Sequence, residues 1–111
     1  MPDSYTPPAR VRRAAARALD LRASLPPSRR AMTPAGLARA RDLSNGRPVS
    51  LDVIRRMSEF FTRNASSYRA GEGWGVDSKG WQAWLGWGGD PGRTWARAVL
   101  RSQSTSSTSK E

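Results

Sequence analysis

Arginine is the residue whose type and spacing could do chemistry in this chain. Its planar guanidinium is a fixed fork of donors that matches phosphate or carboxylate oxygens two at a time. Residues 1–69 carry 14 arginines, no lysine and five acids (Asp3, Asp20, Asp42, Asp52, Glu59), a net of +9. Residues 70–111 carry five basic groups and four acids, a net of +1. This second part concentrates aromatic surface and turns instead, with four of the five tryptophans in Trp74–Trp87 and eight of the ten glycines in Gly71–Gly92. Net charge is evidence about partners rather than about fold. It points to a polyanion or to an acidic protein surface. A GC-rich genome also yields 17 arginines against two lysines, but codon bias does not account for 19 bases against nine acids.

Other chemistries lack their parts. The chain has no histidine and no cysteine, so the commonest general base, the commonest metal ligand, the thiolate and the disulfide are all missing. Acid–base catalysis by carboxylates needs two groups in contrasting environments. Glu72 and Asp77 fall in a glycine-rich stretch, and Asp90 reads as a helix N-cap. Gly71-Glu72-Gly73-Trp74-Gly75 does not sit between a strand and a helix, so it is no dinucleotide fingerprint. We therefore expect no enzyme, no metal, no cofactor and no small-molecule substrate.

The candidate phosphate-binding residues are Arg10, Arg13, Arg17, Arg29, Arg30, Arg39, Arg55, Arg56 and Arg63. Any one of them taken alone reads better as part of an ordinary solvated helix face. The excess of the whole set is what favours a polyanion. Among the tryptophans, Trp81, Trp84 and Trp95 lie at helical spacing and are expected in the core, since each buries roughly 150–250 Å². Trp74 and Trp87 stand beside glycines and are the interface candidates, able to stack on bases or anchor a protein partner.

These side chains need elements to hold them. Thr6-Pro7, Thr33-Pro34 and Asp90-Pro91 each pair an N-cap with proline at the first helical position, so helices are expected to start near Pro7, Pro34 and Pro91. The first runs to about Ala23, with Val11, Ala15, Ala18 and Leu19 as its apolar stripe and Arg10, Arg13 and Arg17 on another face. Ser24–Met32, with Pro26-Pro27, reads as a linker. The second helix ends at Ser44, where Asn45-Gly46 is a left-handed stop.

Ser50 caps the third helix, Leu51 to about Asn64. Leu51, Ile54, Met57, Phe60 and Phe61 make its core face, and Asp52–Arg56 and Glu59–Arg63 are acid-before-base pairs on the other. Residues 65–77 read as a loop, Ser78–Leu85 as a short helix, and Pro91 to about Ser102 as the last one. The order of parts in Leu37–Phe61 also fits a helix-turn-helix, which would put Arg55, Arg56 and Arg63 on a recognition helix.

The expected fold is thus all-α: a single small domain of four to five short helices with a Gly/Trp-rich loop. Residues 1–101 form the basic helical domain, with its Trp/Gly cassette at about 70–101, and residues 102–111 a disordered Ser/Thr tail. The first 30 residues hold no signal-like apolar run, and no stretch approaches the ~20 apolar residues that span a bilayer.

Several motifs recur here in a fixed order. Tyr5-Thr6-Pro7-Pro8 precedes an Ala/Arg helix. Gly36-Leu37-Ala38-Arg39-Ala40-Arg41-Asp42-Leu43-Ser44-Asn45-Gly46-Arg47-Pro48-Val49-Ser50 follows, then Val53-Ile54-Arg55-Arg56-Met57 and Phe60-Phe61-Thr62-Arg63. Trp84-Leu85-Gly86-Trp87-Gly88-Gly89-Asp90-Pro91-Gly92-Arg93-Thr94-Trp95-Ala96 ends the series. The series resembles a small module of tailed bacteriophages, found alone or joined to head-morphogenesis proteins such as prohead proteases and portals.

The resemblance spans roughly residues 5–100 and implies a context, a phage and its head or genome, rather than a mechanism. Where the module often reads Phe-Phe-x-Arg-His followed by an acid and lysines, this chain has Asn64 and then Ala65-Ser66-Ser67, and its loop before the Trp segment is shorter. No role for that histidine carries over. The Trp-Gly-Gly-Asp box reads as structural, with Asp90 capping the last helix.

Two functional expectations follow. The first is a non-enzymatic phage protein that binds nucleic acid, in the first place DNA, through its arginines with little sequence preference. The second is a virion structural protein that docks on an acidic capsid or head surface through Arg and Trp contacts. Either places the chain in the virion or the host cytoplasm, away from membranes, and leaves its oligomeric state open.

Overall fold

The structure, a computed structural model, describes the backbone of residues 4–70 and 79–109 and the side chains of residues 4–65 and 80–103. The chain folds as one small all-α unit, with five helices among the described residues: α1 (Ala9–Ser24), α2 (Pro34–Ser44), α3 (Leu51–Ala70), α4 (Lys79–Gly86) and α5 (Gly89–Ser109). Two short strands, β1 (Ser4–Tyr5) and β2 (Val49–Ser50), pair antiparallel with Ser4 opposite Ser50 and Tyr5 opposite Val49. No described helix is long and apolar enough to cross a membrane.

α1 begins two residues later than expected, and its N-cap position is Pro8, which offers no side-chain cap. The reason lies in Thr6-Pro7-Pro8. A residue before proline is driven out of the α region, so Pro7, which precedes Pro8, cannot open a helix. The segment stays extended and continues β1 instead. Pro7 is buried, and its carbonyl accepts from Arg12 Nη1 at 3.0 Å. Val11, Ala15 and Ala18 form the buried stripe of α1 as the spacing predicts.

The segment after α1 is a linker by composition but not by attachment. It holds a single 3-10 turn at Pro27–Arg29 and is fastened to α4 by Gln82, a fully buried side chain. Gln82 Oε1 accepts from the Ala31 amide at 2.9 Å, and its Nε2 donates to the Arg29 carbonyl at 3.0 Å. Arg22 Nε donates to the Ala31 carbonyl at 3.0 Å. Buried backbone groups must find partners, and here side chains supply them.

Punctuation sets α2 and the start of α3. Thr33 Oγ1 accepts from the Gly36 amide at 3.1 Å, and Pro34 takes the first helical position. Gly46 sits at φ +72, and a Cβ there would meet Arg12 Cδ at 2.9 Å. Ser50 Oγ accepts from the Val53 amide at 3.3 Å. α3 then runs to Ala70, past the expected stop at Asn64. Asn64 turns its amide back to the Phe60 carbonyl at 2.8 Å and does not end the helix. The first glycine after it is Gly71, and extending a formed helix needs no new nucleation. Of the loop expected at 65–77, residues 65–70 are therefore helical, and the rest lies outside the described residues. In the same way α5 continues to Ser109, beyond the end expected near Ser102 and into the segment read as a tail.

The core gathers Val11, Ala15, Leu43, Val49, Ile54, Met57, Phe61, Trp84 and Ala96. Phe61 and Trp84 meet edge to face with centroids 4.8 Å apart. Leu51, Phe60 and Trp95, expected in the core, pack against it but stay half-buried. α1 lies along α2, α4 and α5, whereas α3 lies along α5. α2 and α3 are thus not the packed pair of a helix-turn-helix, and that reading is corrected. The six residues between them, 45–50, exceed the motif's usual turn of about three or four, and the two helices turn to different neighbours.

The Trp-Gly-Gly-Asp box is the corner between α4 and α5. Gly88, at φ +111, comes so close to the next turn that a Cβ would lie 2.9 Å from Gly92 Cα. Asp90 stands inside the first turn of α5 rather than before it, and its Oδ1 accepts from Trp84 Nε1 at 3.0 Å. Its carboxylate fastens the buried indole to the helix start.

Candidate nucleic-acid interface

Helix phase sorts the arginines. Arg10, Arg13 and Arg17 are exposed on the side of α1 away from its buried stripe, at the i, i+3, i+7 spacing of one helix face. None of the three has an ion-pair partner among the described residues. They border two depressions where α1 meets the α4–α5 corner. One, of about 430 Å³, is lined by Pro8, Arg10, Val11, Pro91, Trp95 and Ala98, among others. The other, of about 300 Å³, includes Arg13, Arg17, Trp81 and Leu85. Both share Asp90 and Pro91 as a common ridge.

The tryptophans of these depressions, Trp81 and Trp95, were expected in the core, but both are half-buried. Two further arginines belong to the same surface. Thr94, Arg97, Ala98 and Arg101 are all exposed on one face of α5, and Thr94 and Ala98 line the Trp95 depression. Arg97 and Arg101 do not stand out in the sequence, because their half of the chain is nearly neutral. Their i, i+4 spacing on a helix whose opposite side holds Ala96 and Val99 is the signal the sequence offers.

The remaining candidates scatter. Arg55 and Arg56 are exposed on α3. Arg56 reaches Asp52 at 3.2 Å, but both side chains are about two-thirds exposed (63% and 67%), so the pair contributes little. The Glu59–Arg63 pair does not close among the described residues. Arg29 is exposed beside the carbonyl that Gln82 holds.

Arg39 is half-buried, bonds Asp42 at 3.2 Å, and has a buried Nε with no partner; it serves α2 rather than a ligand. Arg30 is likewise tied down, donating from Nε to the Leu25 carbonyl at 2.9 Å. Together with the exposed Arg63 it lines a cleft of about 660 Å³ with Met32, Phe60 and Trp87.

Trp87 is half-buried, stacked on Phe60 with centroids 5.3 Å apart and rings 18° from parallel. Phe60 thus covers one face of the ring expected to serve as an interface. Met32, at the edge of this cleft, holds φ +79. Trp74, the other interface candidate, lies outside the described residues, as do Glu72 and Asp77. Among the described residues, no three His, Cys, Asp or Glu side chains converge as metal ligands.

Comparison with protein-family models, with curated proteins and with solved structures found no match for this chain.

Proposed function

We propose that this is a non-enzymatic, nucleic-acid-binding protein with little sequence preference, working on a phage genome or its packaging. The observation that carries the reading is the row of exposed Arg10, Arg13 and Arg17, without acidic partners among the described residues and bordering two adjoining depressions, with Arg97 and Arg101 exposed on the neighbouring α5. Desolvating an unpaired guanidinium is unfavourable, so the row suits a partner that brings its own negative charge. The phage setting rests on the ordered motifs from Tyr5 to Ala96 and their resemblance to a head-associated module.

The test is fluorescence polarisation with a labelled random-sequence DNA duplex, titrated with salt. Five phosphate contacts predict a log–log slope of about −4 to −5, a loss of several hundred-fold between about 50 and 200 mM salt. A flat salt response, or no binding at the low-salt end, would remove the proposal.

A second reading, docking on an acidic head protein, draws on the cleft of about 660 Å³ beside the Phe60–Trp87 stack, where Arg63 stands at the edge of an aromatic floor. Such an interface would be far less salt-sensitive, and it would respond to Trp87 rather than to Arg10.

A further inference from the structure

We infer that the depression between α1 and α5 takes single-stranded nucleic acid, with a base against Trp95 and the adjoining phosphates on Arg10, Arg97 and Arg101. This deepens the nucleic-acid reading and rests on it.

The lining of the depression decides between the two forms of nucleic acid. A duplex presents phosphates outward and keeps its base faces stacked inside, so it has little use for an apolar hollow between arginines. A single strand presents base faces, and these stack on aromatic side chains whatever the sequence. Here the hollow is mostly apolar, built from Pro8, Val11, Pro91, Trp95 and Ala98. Trp95 is half-buried, and among the described residues its indole N–H makes no hydrogen bond and its ring no aromatic pair.

Arg10 of α1 lines this floor, and Arg97 and Arg101 are exposed on α5, on the helix face that carries Thr94 and Ala98 of the lining. Among the described residues the acid at the edge is Asp90, whose Oδ1 accepts from Trp84 Nε1. A carboxylate on the ridge repels phosphate, so the backbone of the strand has to pass on the arginine side.

The adjoining hollow extends the pattern along α1. Arg13 and Arg17 stand there beside Trp81, one to two helical turns from Arg10. The arrangement is aromatic, arginine, ridge, aromatic, arginine, which suits two successive nucleotides without reading their hydrogen-bonding edges.

The experiment uses the full chain with two probes, a fluorescein-labelled oligothymidylate and the same strand annealed to oligoadenylate, at about 50 mM salt. The single strand is expected to bind at least about tenfold tighter than the duplex. Trp95→Ala should weaken single-strand binding roughly 5- to 150-fold, the range of one lost stacking contact, and leave the duplex within about twofold. Trp95→Phe should keep most of the affinity.

If Trp95→Ala does not fold, as judged by circular dichroism, Ala98→Gln serves instead. That position is exposed, so the longer side chain fills the hollow without touching the core, and it should lower single-strand affinity several-fold. Equal binding of both probes, or equal losses for both on changing Trp95 or Ala98, would overturn the single-strand inference and leave the nucleic-acid proposal standing. Failure of both probes to bind would overturn the two together.

Discussion

Arg12 and Arg13 are neighbours in sequence and opposites in use. Arg12 turns inward: its guanidinium donates to the Pro7 carbonyl, and its Cδ lies where a side chain on Gly46 would have to go. Arg13 turns outward and stands beside Trp81 with no partner among the described residues. The contrast extends to two regions. Around the linker, Arg22 and Arg30 donate to backbone carbonyls, and Arg39 in α2 pairs with Asp42. On the outer side of α1 and along α5, Arg10, Arg13, Arg17, Arg97 and Arg101 are exposed and have no partner among the described residues. A chain's net charge counts all arginines alike. The 100° step between adjacent helical residues divides them into struts and free cations.

Four predictions test that division. The largest effect belongs to the strut region. Gln82→Leu keeps the volume but leaves the Ala31 amide and the Arg29 carbonyl unpaired, at a cost of about 2–4 kcal/mol in chemical denaturation. A loss below about 1 kcal/mol would mean that the linker is not held as described.

Next comes the free row. Replacing Arg10, Arg13 and Arg17 together by Gln should weaken DNA-duplex binding about 50-fold at low salt and flatten the salt slope by close to three. Stability should stay within about 0.5 kcal/mol, as for other surface substitutions. Unfolding of this variant would show that the row is structural after all.

The third effect is smaller and mirrors the second. Arg12→Ala should cost about 1 kcal/mol of stability through the lost bond to the Pro7 carbonyl. It should leave binding nearly unchanged, whereas a binding loss matching that of Arg13→Ala would erase the distinction between the two.

The smallest effect is at Asp52→Asn, which removes the exposed pair with Arg56. A thermal melt should register no more than a few tenths of a kcal/mol.

Much of the fold is legible in the sequence wherever the signals are local. Thr33-Pro34 located the start of α2, and Ser50 that of α3. The core face of α3 followed from the spacing of Ile54, Met57 and Phe61. The errors came where a local signal had a competitor. Pro8 overruled the cap signal of Thr6-Pro7. Asn64 had a carbonyl to bond and therefore did not stop its helix. The candidate site was legible in kind but not in membership. Arg10, Arg13 and Arg17 were in the set from the start, and so were Arg30 and Arg39, which prove to be struts. Arg97, Arg101, Trp81 and Trp95 entered only with the fold, because half-burial of a tryptophan depends on what packs beside it.

The sequence by itself determined an all-helical chain with a basic first half, no histidine or cysteine, and glycines placed for a tight corner. These properties follow from composition and from interactions within a few residues. Only the tertiary structure decided which arginines are free, which tryptophans reach the surface, and how the linker is held. Those outcomes depend on partners distant in the chain, such as Gln82 with Ala31, 51 residues apart, and Gln103 with Tyr5, 98 apart. No local pattern encodes such pairs, because they arise when helices of separate origin settle around one core.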